Sequence, residues 1–309
     1  MDGPNGVSPR HAPHHAHGAQ PVPRTLAHRH AKRVDLNLMA QSANFVQLHN
    51  HTHYSLLDGA SKIPDLVRCA KDLGMPAVGI ADHGNMHGAY ELWSEAVKQG
   101  VKPILGIEAY VTPETARGDK SRVHWGTEAQ RSDDVSGGGL YTHLTLWAES
   151  DEGLVNLTKA SSVANLEGRV MRYPRMDKDV LATYSKGVIC GSGCPSGIVQ
   201  TRLRLGQFDE ALRAAGELQD IYGKENFYIE LMDHGLEIER RVTNDLLDIA
   251  KRLGAPLLAT NDSHYVHKED AGAQDAMLCI NSGSKLDEPG RFKFDGEGYY
   301  MRSAQELRE

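Results

Sequence analysis

The feature that most constrains the fold is an alternation: short apolar runs of strand composition, each followed by a polar turn and a segment of helical period. The runs cover residues 45–49, 77–81, 103–111, 141–147, 187–190, 227–232 and 255–259. Between the first two, Ser61 is placed to cap a helix with Pro64 in its first turn. Ile63, Leu66, Val67, Ala70 and Leu73 form its apolar face, and Gly74 ends it. Further helical segments fit 86–98, 153–164, 208–221, 238–253 and 268–280. Strands separated by helices pair in parallel. Roughly seven such units predict an α/β fold closed as a (β/α) barrel, with an open doubly wound sheet as the alternative that periodicity allows.

Three segments break the rhythm. Residues 1–44 are rich in Gly, Pro and Ala and hold six histidines (His11, His14, His15, His17, His28, His30), with too little apolar surface to offset the entropy of ordering; a disordered tail is expected. Residues 112–139 are polar and end in Ser136-Gly137-Gly138-Gly139, which predicts a mobile insertion. Residues 282–309 lack periodicity until Gly298-Tyr299-Tyr300-Met301, and Ser303 and Glu306 have capping-box spacing, as in a helix that the chain would carry further.

A net charge of -7 argues against a surface that coats nucleic acid, though it leaves room for a local basic groove. Cys69, Cys190, Cys194 and Cys279 follow no framework spacing, so a reducing compartment is expected. No apolar run approaches the ~20 residues that span a bilayer, and no secretion signal is visible. A soluble cytoplasmic protein without membrane partners is the expectation.

Ligand-type residues recur at the strand ends. His49 and His51 close the first run, with Asp58 on the turn that follows; Asp82 and His83 follow the second, Glu108 lies in the third, His143 in the fourth. Cys194 comes just past the fifth, and Asp262 and His264 after the seventh. His49/His51 and Asp262/His264 are i, i+2 pairs, which share one side of an extended chain. In a parallel barrel the strand ends converge on one face, so residues distant in sequence meet there. Alone, His143 reads as a core histidine and Cys194 as a buried thiol, whereas Glu108 in an apolar strand needs a partner charge or a metal. Imidazoles, carboxylates and one thiolate suit zinc, manganese or iron and are too rich in nitrogen for calcium. Several such divalent ions would activate water and neutralise phosphate oxygens, which serves phosphoester hydrolysis. His53, His87, His124, Glu230, Asp233 and His234 are left outside the cluster, His234 being the nearest to it in pattern. Asp82 is expected to orient His83.

At these residues the chain resembles the polymerase and histidinol phosphatase (PHP) domain family, over residues 45 to about 285. The family's metal positions map onto His49, His51, Asp58, His83, Glu108, His143, Cys194, Asp262 and His264. The wording of 45–59, 79–85, 193–197, 230–235 and 260–265 is similar to the branch found at the head of bacterial replicative DNA polymerase alpha subunits, and cysteine at 194 resembles that branch. The resemblance implies a distorted (β/α)7 barrel over 45–285, with 286–309 starting the connection to a polymerase core whose nucleotidyl-transfer carboxylates would lie beyond Glu309. It also implies a metal-dependent 3′–5′ exonuclease that proofreads. Its partners would be the 3′ end of a DNA primer-template, the rest of the polymerase chain and other replisome subunits, with nucleoid association. The alternatives are a small-molecule phosphatase of the histidinol phosphatase kind and a silent scaffold in which metals only brace the barrel.

Overall fold

The computed structural model describes residues 45–308, so the expectation for 1–44 lies outside the described residues. The chain builds a mixed α/β fold around a central sheet. In order it forms α1 (Ile63–Asp72), β1 (Ala77–Gly79), β2 (Asp82–His83), α2 (Ala89–Gln99), β3 (Lys102–Ile104), β4 (Gly106–Val111) and the single turn α3 (Ser136–Gly139). There follow β5 (Thr142–Ala148), α4 (Asp151–Glu167), β6 (Arg169–Val170), β7 (Tyr173–Met176), α5 (Lys178–Thr183), β8 (Val188–Gly191) and α6 (Ile198–Arg204). The last elements are α7 (Phe208–Tyr222), β9 (Phe227–Leu231), α8 (Glu237–Leu253), β10 (Leu257–Ala259) and α9 (Ala271–Ser282).

The main sheet runs β10-β9-β8-β5-β4-β7-β6 with β2 also on β4, and β1 pairs with β3 separately. The first apolar run is extended rather than a full strand. The Gly79 amide donates to Gln47 O (2.8 Å) and the Ala81 amide to Asn50 O (2.9 Å), while the Ser263 amide donates to His49 O (3.0 Å) and the His51 amide to Ser263 O (2.7 Å). Residues 47–51 are therefore held between β1 and the segment after β10.

Parallel pairing fails at β5 and within the short β6–β7 hairpin. β5 runs antiparallel to both β4 and β8. A parallel connection needs a crossover element, and 112–141 supplies only a 3-10 turn (Glu128–Asp133) and α3, so the chain re-enters the sheet from the rim where β4 left it. His143 consequently stands at the start of β5, not at its C-terminal end, and still faces that rim. The insertion is tied down locally by Arg122 donating to Gly137 O and Gly138 O and by His124 and the Trp125 amide on Asp134.

Smaller departures have local causes. Ser61 does not cap α1; it bridges Thr52 in an extended pairing, and Lys62 takes the cap position without a side-chain bond. Leu73 falls past the end of the helix and is exposed. The β6–β7 hairpin is too short to leave a period in the sequence. Ser303 and Glu306 make the reciprocal capping bonds, yet residues 304–308 form turns.

Two apolar clusters support the sheet. One packs Ile107, Leu144, Leu146, Val188, Phe227 and Ile229 under α4–α8. The other packs Val78 and Ile80 against Ile63, Leu66, Leu92 and Ala96 of α1 and α2, and it includes Met301. Residues 298–302 thus belong to the folded body: Asn261 Nδ2 donates to Gly298 O and Tyr300 O, and the His264 amide donates to Tyr299 O.

Candidate metal centre

All nine sequence-selected side chains meet in one cluster. His49 Nε2 lies 3.4 Å from Glu108 Oε1 and 3.3 Å from Asp262 Oδ1. His51 Nε2 is 2.9 Å from the same Asp262 oxygen. Asp58 Oδ2 stands 2.7 Å from His83 Nε2 and 3.5 Å from His264 Nε2. Glu108 Oε2 is 2.6 Å from His83 Nδ1 and 3.0 Å from His143 Nδ1, and Cys194 Sγ is 3.3 Å from Glu108 Oε1 and 3.4 Å from His143 Nδ1. Asp262 reaches both of its histidines from a left-handed backbone (φ 44°), a conformation that Asp tolerates better than most residues.

Burial without partners is the observation that fits a cation. Buried polar atoms are normally hydrogen-bonded. Here His49 Nε2, His51 Nε2, His83 Nδ1, His143 Nε2, Asp58 Oδ1, Glu108 Oε2 and Asp262 Oδ1 lack a hydrogen bond, seven of the fourteen such side-chain atoms among the described residues. The set includes three overlapping triples, His51/His83/His264, His49/His51/Glu108 and His83/Glu108/His143, each with donor atoms within 4.8 Å of one another. Most of these atoms stand close to one another without hydrogen-bonding geometry, and a metal ion would give such lone pairs a common partner.

Electrostatics repeat the point. Burial opposes charge on His49, yet Asp262, Glu108 and Glu230 together hold its pKa well above the ordinary range. His83 and His264 are raised in the same way, against burial, by Glu108 and Asp58 and by Asp58 and Asp262. His51 is lowered to about 3 by burial and then by the charges of His83 and His264. Against the upward push of burial, neighbouring histidines hold Asp58, Glu108 and Asp262 well below the usual carboxylate range.

A pH dependence follows for the metal-stripped protein. The raised histidines contribute stability below about pH 6.5 that is lost as pH rises through their folded values. The depressed carboxylates contribute above about pH 4, lost as pH falls through theirs. His51, being lowered, opposes the other histidines by one proton below about pH 6.5. Stripped protein should therefore be most stable at mildly acid pH, and divalent ions should move the optimum upward by displacing protons. Thermal denaturation across pH, with and without chelator, checks this; identical profiles would contradict it.

Two acids outside the cluster fix its geometry. Glu230, fully buried, lies 3.1 Å from His49 Nδ1 and accepts from Thr260 Oγ1 (2.9 Å), the Gly193 amide (2.9 Å) and the Thr145 hydroxyl. Gly191 makes room for it, since a Cβ there would stand 2.2 Å from Glu230 Oε1. The carboxylate holds the Nδ1 proton and leaves Nε2 facing the cluster. Glu230→Gln should weaken zinc or manganese binding about 10- to 100-fold, read by titration against a competing chelator; unchanged affinity would remove this role. Asp82 acts one bond further out than expected: it accepts from the Thr52 amide (2.7 Å) and Ser55 Oγ (2.6 Å), and Ser55 Oγ meets His51 Nδ1 (3.2 Å) and the His83 amide (3.1 Å).

The residues left outside turn elsewhere. His53 faces Ser61 O, His124 pairs with Asp134, and His87 is exposed. Buried His234 bonds Glu239 and Asn261 O and stacks on Tyr299.

A fold whose strand ends gather histidines, carboxylates and a thiol around unpartnered buried atoms defines a class. The PHP domain model matches residues 47–234, and the chain belongs to that family. Proteins named DNA polymerase III subunit alpha are similar to it. That of Mycobacterium tuberculosis (strain CDC 1551 / Oshkosh) is 54% identical over 267 residues, covering 86% of this chain and 22% of the relative. That of Saccharopolyspora erythraea is 54% identical over 272 residues (86% and 23%), and that of Thermus aquaticus 39% over 277 residues (87% and 21%). The chain thus spans 21% to 23% of the length of these relatives. No described helix is long and apolar enough to cross a membrane.

Proposed function

We propose that this chain is the PHP domain of a bacterial replicative polymerase alpha subunit and works there as a metal-dependent 3′–5′ exonuclease that removes mispaired 3′ termini of DNA. Its partners are the primer-template, the rest of the polymerase chain and other replisome subunits. His49, His51, Asp58, His83, Glu108, His143, Cys194, Asp262 and His264 hold two or three divalent ions of zinc, manganese or iron. The reading rests on one observation: nine donors from seven separate segments converge with half of the unpartnered buried side-chain atoms among them. We also read the fold as a distorted (β/α)7 barrel, because backbone bonds from 47–51 to β1 and to Ser263 join what would otherwise be two open edges.

The chemistry such ions supply is Lewis acidity toward a phosphoryl oxygen and an attacking water. The chain's own residues decide where that is felt. His49, His51 and Glu108 are closed to solvent, whereas the side chains of Asp58 (19% exposed), His83 (15%), His143 (12%) and Asp262 (12%) form the open edge. A phosphodiester enters there. Glu230 and Ser55 keep the inner imidazoles fixed while it does so.

The test is a mismatched primer labelled at its 3′ end, incubated with the chain in manganese or zinc. Loss of the terminal nucleotide is expected. Bound metal without cleavage would reduce the ions to struts of the fold.

A further inference from the structure

A tyrosine array abuts the open edge of the metal centre, and backbone register puts it there. Tyr110 follows Glu108 by two residues on β4, and Tyr141 precedes His143 by two, so each shares a face with a cluster member. Tyr110 and His143 are direct partners on the β4–β5 ladder. Their ring centroids are 5.5 Å apart; Tyr141 stacks on His143 at 5.5 Å with 5° between planes; Tyr110 lies 6.1 Å from His83. Tyr173 of β7 completes the array, 4.5 Å from Tyr141 and 5.2 Å from Tyr110. All three residues are half-buried.

Packing alone does not account for the rest of this corner. The β6–β7 hairpin raises Met171, 73% exposed with φ 53°, and Arg172 beside the array. The Arg172 guanidinium sits 5.4 Å from the Tyr173 ring centre while Nη1 donates to Asn281 Oδ1 (2.6 Å), so it is held in place. Half-buried aromatic side chains beside a fixed cation are one way in which proteins engage single-stranded nucleic acid without reading its sequence: bases stack and the cation meets the backbone.

We propose that Tyr110, Tyr141 and Tyr173, with Arg172, form a stacking platform for the terminal bases of single-stranded 3′-ended DNA, presenting the last phosphodiester to the open edge. The proposal rests on the nuclease reading for its substrate. Its consequence is tolerance: all four bases stack, so a frayed terminus is held whatever its identity. A paired terminus, with its base engaged in the duplex, is not.

The test uses the whole chain and a single-stranded oligodeoxynucleotide with 2-aminopurine as its 3′-terminal base and a phosphorothioate at the last linkage, which resists cleavage. Binding should quench the fluorophore by stacking. Tyr173→Leu should weaken binding about 5- to 100-fold and relieve the quench, and Tyr173→Phe should restore both. Arg172→Gln, an exposed change that leaves the fold intact, should lower the salt slope of binding by about one. Tyr90→Leu on α2, an exposed ring that packs on Trp93 rather than on the array, should bind like wild type. Wild-type affinity in both Tyr173→Leu and Arg172→Gln, or binding without a quench, or no binding at all would overturn the platform. Hydrolysis is not read here, so stacking without cleavage of an ordinary primer fails only the nuclease reading, and cleavage without stacking fails only the platform.

Discussion

Asp262→Asn is expected to cut removal of a mismatched 3′ nucleotide by more than about 100-fold, beyond the 10- to 100-fold typical of losing an outer partner of a metal ligand. The substitution is sparing in every other respect. Asn also tolerates the left-handed backbone that Asp262 adopts, so the segment keeps its conformation. What disappears is the charge that lies 3.3 Å from His49 Nε2 and 2.9 Å from His51 Nε2. An amide turned toward those nitrogens binds a cation poorly. A 3′-label release assay in manganese, run beside a melting curve, reads both effects, and an unchanged rate would remove Asp262 from the chemistry.

Glu108→Ala should produce the largest loss of stability. Glu108 is fully buried and touches His49, His83, His143 and Cys194. Removing one partner from a buried charged network leaves the others uncompensated and costs about 3–5 kcal/mol, which lowers the melting temperature by roughly 6–20 °C for a domain of this size. Glu108→Gln should lose less, since the amide keeps the volume. Thermal denaturation of the two variants, with and without chelator, checks the order; equal melting points for Glu108→Ala and wild type would contradict it.

The site was more legible than the fold around it. A ligand-type residue in or beside an apolar run is visible in one dimension, and the nine positions picked out, Asp58 from the turn after the first run among them, meet in space. Strand direction is not visible. The pattern of 141–147 says strand, but only the absence of a crossover helix in 112–141 makes β5 run backward, and His143 reaches the rim from the opposite end of its strand. Glu230 was passed over although it carried the signal that selected Glu108, a carboxylate within an apolar run; its fellow bonding groups, Thr145, Gly193 and Thr260, come from three other segments. The tyrosine array was hidden for a similar reason, because Tyr173 reaches Tyr110 through the pairing of β7 with β4, and the β6–β7 hairpin that carries it is too short to show a period.

Elemental analysis of the purified chain is the most direct measurement. About two or three equivalents of zinc, manganese or iron per molecule are expected, falling in Glu108→Ala and Asp262→Asn. Protein that carries only traces of these elements and takes up none when they are supplied would contradict the metal centre.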